Sequence, residues 1–250
     1  MIRFTSRRPL PVSERVPVLM YHRIARRPPG TTVPMHYVSP KRFETHVRIL
    51  GRLGFRATTL IEAYQEIGRP GRRVVFTFDD GYSNFLSAAQ VLESAGMVGT
   101  VFVVTGQFGG VNEWDIGQGD VREPLLDQDE ILALASRGHE IGSHTVSHAR
   151  LTQVSEDKAR RELEDSRRAL AQLLGAPPAS FCYPYGAHDP KVRGLVAAAG
   201  YTVACGTEKG WNDRWTDRTR WRRVNVRGDT TTPVLFWKLW NKSRPRATED

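Results

Sequence analysis

With 250 residues, 40% apolar and 25% charged, the chain can bury one large core and lacks the composition of a disordered or fibrous protein. It holds no run of about 18 apolar residues, so no membrane-spanning helix is indicated. The basic start MIRFTSRRPLPVSERVP has no apolar signal core, which points to a cytoplasmic or peripheral-membrane location. The net charge of +9 is spread along the chain without a nucleic-acid-binding motif, so nucleic acid is not expected as a partner.

Residues 16–22 read as a first buried strand, ending at Tyr21-His22. A Pro/Gly-rich loop leads to Ser39-Pro40, an N-cap followed by proline at the first helical position. Phe43, Val47 and Leu50 mark the inner face of that helix, and Gly54 its end. A short strand at 55–58 and a helix at 61–67 precede the run Val74-Val75-Phe76-Thr77-Phe78, which ends in Asp79-Asp80-Gly81-Tyr82. A helix at 83–95, a strand at 98–104 and a long loop from 106 to 120 follow. A helix at 125–137 and a strand at 139–143 then deliver His144 and His148. The longest helix covers 155–174. A strand at 179–183 ends in Pro184-Tyr185-Gly186, a helix covers 190–199, and strands at 201–205 and 221–226 precede a final apolar helix through Trp240. Neither an internal repeat nor a linker breaks this series, so one domain is expected over 1–250, with its core at about 16–240. Cys182 and Cys205 lie in apolar runs and read as buried free thiols.

Alternating strands and helices argue for a parallel α/β architecture. His22, Asp79-Asp80, His144 with His148, and Tyr185 all fall just beyond the C-terminal ends of different strands. That is the rim where (β/α) barrels build their sites. An open sheet would usually bring a glycine-rich phosphate loop, and the chain has none. The expected fold is therefore a (β/α) barrel.

Adjacent carboxylates repel unless a cation or proton relieves them. Asp79-Asp80-Gly81 alone reads first as a solvated turn. The histidine pair, with three residues between its members, turns the balance toward a metal, because one carboxylate and two imidazoles suit zinc with an open position for water. One acid would then hold the metal and its neighbour act as a base. The residues point to metal-assisted hydrolysis at an acyl carbon. His46, on a helix flank, and His139, opening a strand, read as structural. His36 and His188, on rim loops, are candidates to line a groove.

The ordered motifs VFTFDDGY, EIGSHTVSH and FCYPYG resemble the first three motifs of the NodB-type polysaccharide deacetylases, carbohydrate esterase family four. The resemblance implies a distorted (β/α) barrel of about seven strands that removes N-acetyl groups from N-acetylhexosamine-containing glycans. It implies Asp79 as the base, Asp80, His144 and His148 as ligands of a divalent metal, Zn2+ foremost, and Tyr185 as a backbone donor to the oxyanion. Two features depart from the pattern. Cys182 stands where the third motif carries an arginine that orients the base, a role left to Arg222 or Arg223. No histidine follows His188, and Val18-Leu19-Met20-Tyr21-His22 resembles the missing last motif moved to the front. This is the circularly permuted arrangement of poly-N-acetylglucosamine deacetylases, and it makes His22 the general acid. Trp114, Asp115, Pro184 and Arg223 are expected on the substrate side, although Trp114 could equally pack on the barrel. A lipid-linked or small-molecule amide is the alternative substrate, and a non-catalytic glycan-binding barrel the alternative class. The segment 234–240, with Lys242 and Arg244 after it, reads as a buried closing helix or as an interfacial anchor on lipid.

Overall fold

The computed structural model describes residues 14–243, with side chains described as far as residue 240. The expected role of Lys242 and Arg244 in a lipid anchor concerns side chains outside that range. In chain order the elements are β1 (Val18–Tyr21), β2 (Arg23–Ile24), β3 (Tyr37–Val38), α1 (Pro40–Arg52), β4 (Arg56–Thr58), α2 (Leu60–Gln65), β5 (Arg73–Phe78), α3 (Phe85–Ser94) and β6 (Thr100–Val103). They continue with α4 (Glu113–Ile116), α5 (Gln128–Ser136), β7 (Glu140–Ser143), α6 (Glu156–Leu174), β8 (Ser180–Cys182), α7 (Pro190–Ala198), β9 (Val203–Lys209), β10 (Trp221–Asn225) and α8 (Thr232–Ser243).

Seven parallel strands close a barrel in the order β1, β10, β9, β8, β7, β6, β5 and back to β1. The first strand completes the ring, pairing Leu19 with Val224 of β10 on one side and Val18 through Tyr21 with Val75 through Phe78 of β5 on the other. The expected strand at 55–58 is present but outside this ring. As β4 it pairs only with the first half of β5, whose second half pairs with β6, and this shared edge is the distortion of the barrel. β2 and β3 form a separate parallel pair above the rim.

Strand periodicity decides what enters the barrel. In β5, Val74, Phe76 and Phe78 join the outer core beneath the helices, while Val75 packs in the interior with Val18, Phe102, Cys182, Cys205 and Trp221. Leu60 and Ala63 of α2 belong to the same interior cluster and plug the end of the barrel opposite the rim. The next inward positions of β5 after Val75 are Thr77 and then Asp79, so an acid is delivered to the mouth in phase with the interior.

The helices follow their caps. Ser39 caps α1 and Pro40 opens it, and its buried face of Phe43, Val47 and Leu50 packs on β1 and β5, with Phe43 edge-on to Tyr21 at 5.3 Å. His46 on the same face is buried, with Nδ1 3.1 Å from the Tyr21 hydroxyl. His139 accepts from Gly99 N through Nδ1 and meets Glu93 through Nε2. Both are structural, as expected. The helix expected at 125–137 starts only at Gln128, because Asp127 and Glu130 form a reciprocal capping box that fixes its first turn there. The short α4 lies inside the stretch expected to be loop. Cys182 and Cys205 are buried free thiols side by side on β8 and β9. The final helix is less buried than its composition suggests: Leu235 and Leu239 of α8 enter the core, whereas Trp237 and Trp240 are exposed.

Candidate active site

At the rim, Asp80 Oδ1 lies 3.3 Å from Nε2 of His144 and 3.3 Å from Nε2 of His148. One donor atom from each of the three falls within 4.8 Å of the others, and all three residues are buried. His144 Nδ1 sits 2.7 Å from the carbonyl oxygen of Cys182. A carbonyl only accepts, so the ring proton is on Nδ1 and the Nε2 lone pair faces the carboxylate. Two acceptors turned toward each other in a buried site are an arrangement that a cation between them stabilises. The donor set therefore fits a divalent metal with nitrogen and oxygen ligands. Burial works to raise the Asp80 carboxyl, but the two imidazoles beside it outweigh burial and hold it well below the usual carboxylate range. Burial also lowers His148, favouring its neutral form.

The backbone around this site is unusual. Among the described residues, the non-glycine positions with positive φ are Asp80 (75°), Thr145 (70°), His148 (59°) and Tyr185 (60°). All four belong to the three motifs. Left-handed conformations of this kind are costly for residues with a Cβ and cluster at functional sites. At Asp80 the turn swings the second acid away from the line of β5 and toward the histidines, while Asp79 continues that line.

Asp79 meets Arg223, whose Nη1 donates to Oδ1 at 2.6 Å and Nη2 to Oδ2 at 2.8 Å. The guanidinium also donates to Gly206 O, Thr77 Oγ1 and Cys182 Sγ. Burial works to raise the Asp79 carboxyl, but the charge and hydrogen bonds of Arg223 prevail and lower it, so the acid is ionised. Thus Arg223, not Arg222, fills the place expected of an arginine next to the base, and its head reaches the sulfur of Cys182. Arg222 points outward, because alternate residues of β10 face opposite sides. The expectation that Arg223 touches substrate is corrected by the same geometry: its side chain is fully buried beneath Asp79.

A cleft of about 260 Å³ opens above these groups, lined among others by His22, His36, Trp114, Asp115, Tyr185 and Asn225. His22 Nε2 is 4.0 Å from Asp79 Oδ2, a proximity fixed by the bond from Asp79 N to Tyr21 O that extends the β1–β5 pairing. Its ring stacks on His36 at 4.1 Å. Trp114 stacks on His148 at 4.5 Å, and the Tyr185 ring meets His148 edge-on at 4.6 Å.

The family model for polysaccharide deacetylases matches residues 67–204, more than half of the chain and all three motifs. The chain belongs to the polysaccharide deacetylase family. YxkH of Bacillus subtilis, assigned by name to the polysaccharide deacetylases, is 27% identical over 85% of this chain, which spans 71% of that protein. Chitin deacetylase 1 of Cryptococcus neoformans is 30% identical over 66% of this chain, which spans only 32% of that relative. The crystal structure of BC0361, a polysaccharide deacetylase from Bacillus cereus, superposes with a TM-score of 0.77 at 25% identity, covering 90% of this chain and 68% of the other. As a polysaccharide deacetylase, the protein is a hydrolase of carbon–nitrogen amide bonds.

This deacetylase brings His22, Asp79, Asp80, His144, His148 and Tyr185 to one mouth, from beyond the ends of four strands, β1, β5, β7 and β8. Trp114 and Asp115 reach it on the long loop, but each is engaged with protein: Trp114 on His148, and Asp115 as acceptor from Arg23 at 2.8 Å and from the Tyr82 hydroxyl at 3.0 Å. Pro184 does not line the cleft; it is buried and opens the turn that presents Tyr185. His36 lines the cleft, whereas His188 turns aside to Glu208 at 2.8 Å. Burial, followed by the neighbouring His36, lowers the His22 imidazole to about 3, so it rests neutral and does not titrate near pH 7 as a free imidazole would.

Arg23 was not among the expected residues. It is fully buried between the rings of Tyr37 and Tyr82, and it ties the long loop to β2 through Asp115 and Asp120. The only sequence signal was an arginine next to His22 in a strand-like run, which is too common to mark it.

Proposed function

We propose that the protein is a zinc-dependent de-N-acetylase of glycans containing N-acetylhexosamine. The observation that carries the reading is the ionised, arginine-held Asp79 adjoining the Asp80–His144–His148 cluster in a single cleft. A zinc ion held by these three residues would supply Lewis acidity to the acetamide carbonyl and lower the pKa of a bound water.

The chain's own groups do the rest. Asp79, fixed by two hydrogen bonds from Arg223, accepts a proton from the attacking water. The backbone N–H of Tyr185 donates to the oxygen on which negative charge develops. A leaving amine needs a proton, and His22 starts without one to spare. The proton taken by Asp79 has a short path to it across 4.0 Å. In this reading Asp79, depressed in basicity by Arg223, releases the proton readily, and His22 delivers it to the amine nitrogen.

The test is acetate release from a panel of N-acetylated oligosaccharides and lipid-linked sugars, with and without chelator. Chelation and Asp80→Asn should each abolish turnover, whereas Asp79→Asn should retain zinc and lose about 10²- to 10⁴-fold in rate. Equal zinc loss in the two aspartate variants, or turnover indifferent to chelator, would overturn the assignment.

For the partner side, we propose contact with an anionic lipid surface. Among the described residues no helix is long and apolar enough to cross a membrane. What supports contact instead is a groove of about 560 Å³ walled by Phe236, Trp237 and Trp240 of α8, with Arg72 on its edge and Arg52 exposed nearby in sequence to Leu53. Trp237 and Trp240 are 61% and 72% exposed. Tryptophan beside arginine favours head groups. Flotation with phosphatidylglycerol vesicles should carry the protein, and Trp237→Ala with Trp240→Ala should abolish it. Equal flotation of the variant would remove α8 as the contact.

A further inference from the structure

The two histidines of the cluster are joined by Thr145, Val146 and Ser147. This segment has no regular secondary structure and contains one left-handed residue, with a second at His148 itself. Such a segment has many alternatives when unconstrained, so something must hold His144 and His148 in register with Asp80. One side of the hold comes from backbone. Thr105 N donates to Thr145 O at 3.1 Å and Gly106 N to Val146 O at 2.8 Å. The approach at Gly106 is close enough that a Cβ there would stand 2.6 Å from Val146 O.

On the opposite side, a single side chain does the work. Glu162, on the buried face of α6, accepts from Val146 N and Ser147 N through Oε2, both at 2.9 Å, and from Ser147 Oγ through Oε1 at 2.6 Å. One turn further along the same helix face, Ser166 Oγ accepts from Ser143 Oγ at 2.9 Å, so α6 is itself anchored to the strand that carries His144. Glu162 is 7% exposed, and its three bonds all run to the loop between the ligands. A buried carboxylate is costly unless its lone pairs are filled, and here the loop fills them.

We infer that Glu162 is a positioning residue for metal affinity, clamping the loop between His144 and His148 so that both imidazoles face Asp80. The inference rests on the metal reading proposed above. It assigns to α6, which contributes no group to the cleft, a direct effect on how tightly the metal is held. Groups that orient ligands in this way typically contribute about 10- to 100-fold in metal affinity.

The experiment uses the full chain stripped of metal and titrated with zinc alone against a chromogenic chelator. Glu162→Ala should weaken zinc binding by about 10- to 100-fold. Glu162→Gln should largely restore it, because its amide oxygen can take the two backbone N–H groups and its nitrogen can donate to Ser147 Oγ. Ser155→Ala serves as the control. It removes the N-cap of the same helix, where Ser155 Oγ accepts from Lys158 N, and so should lower stability without moving zinc affinity. Should Glu162→Ala fail to fold, Gly106→Ala and Ser147→Ala decide, since each disturbs the same loop from a different side and should weaken zinc binding. If wild type binds zinc and these variants bind it equally well, the clamp is refuted and the metal site stands. If Ser155→Ala weakens zinc as much as Glu162→Ala, the effect is general loosening and the inference also falls. If wild type itself binds no zinc, the ligand assignment fails first.

Discussion

Asp79 and Asp80 are neighbours in the chain with opposite surroundings. Asp79 continues the inward phase of β5 and meets a guanidinium, while a φ of 75° turns Asp80 to two imidazoles. The same logic of phase settles Arg223 against Arg222. On β10 the inward positions are Trp221, Arg223 and then Asn225, and only an inward arginine can reach Asp79. In the proposed reaction, His22 is the residue on which the proton delivery turns. His22→Ala should leave zinc content and fold unchanged and cut amide turnover by about 10²-fold or more. It should cost less on an activated acetate ester, whose leaving group departs without a proton. Kinetics on the two substrates side by side check this, and an equal loss on both would remove His22 from the proton path.

The site is carried by turns at strand ends more than by the strands themselves. The turn after β8 shows how tightly such a segment is determined: Tyr185 is left-handed at 60° and Gly186 follows at 65°. A Cβ on Gly186 would stand 2.2 Å from Thr207 Oγ1 on β9, so the side chain is excluded by contact as well as by backbone conformation. Gly186→Ala should therefore cost about 1–3 kcal/mol in denaturant unfolding, and it should lower turnover by displacing Tyr185. Stability unchanged within error would mean that the turn yields easily. The long loop before α5 obeys the same principle through a different device, a buried arginine at 23 that gathers Asp115, Asp120 and Tyr82.

The closed barrel also sets how the whole molecule responds to acid. His46 is fully buried on the inner face of α1, and burial lowers its imidazole to about 4 from an ordinary 6.5. The unfolded chain then binds the proton more readily than the folded one. Its contribution is complete above pH 6.5 and declines as the pH falls toward 4, where it amounts to a loss of about 3 kcal/mol. Unfolding measured from pH 7.5 to pH 4 should show this slope, and His46→Gln, which keeps an acceptor for the Tyr21 hydroxyl, should be flatter by that amount. A variant with the same slope as wild type would show that His46 is not the group responsible.

By itself the sequence determined the alternation of strands and helices, the rim position of His22, Asp79, Asp80, His144, His148 and Tyr185, and the kinship carried by three short motifs. These are local features: apolar runs of strand period, caps, and acids or histidines a few residues apart, all written in contiguous residues. Tertiary structure alone decided that β4 stands outside the ring, that Arg223 reaches Asp79 while Pro184 stays below the cleft, that His22 is neutral at rest, and that Glu162 and Arg23 hold the two loops. Each of those depends on groups distant in the chain, such as Thr77 and Arg223 or Arg23 and Asp115, meeting at hydrogen-bonding distance only when the barrel closes. Burial, which sets the protonation of His22, likewise exists only after that closure.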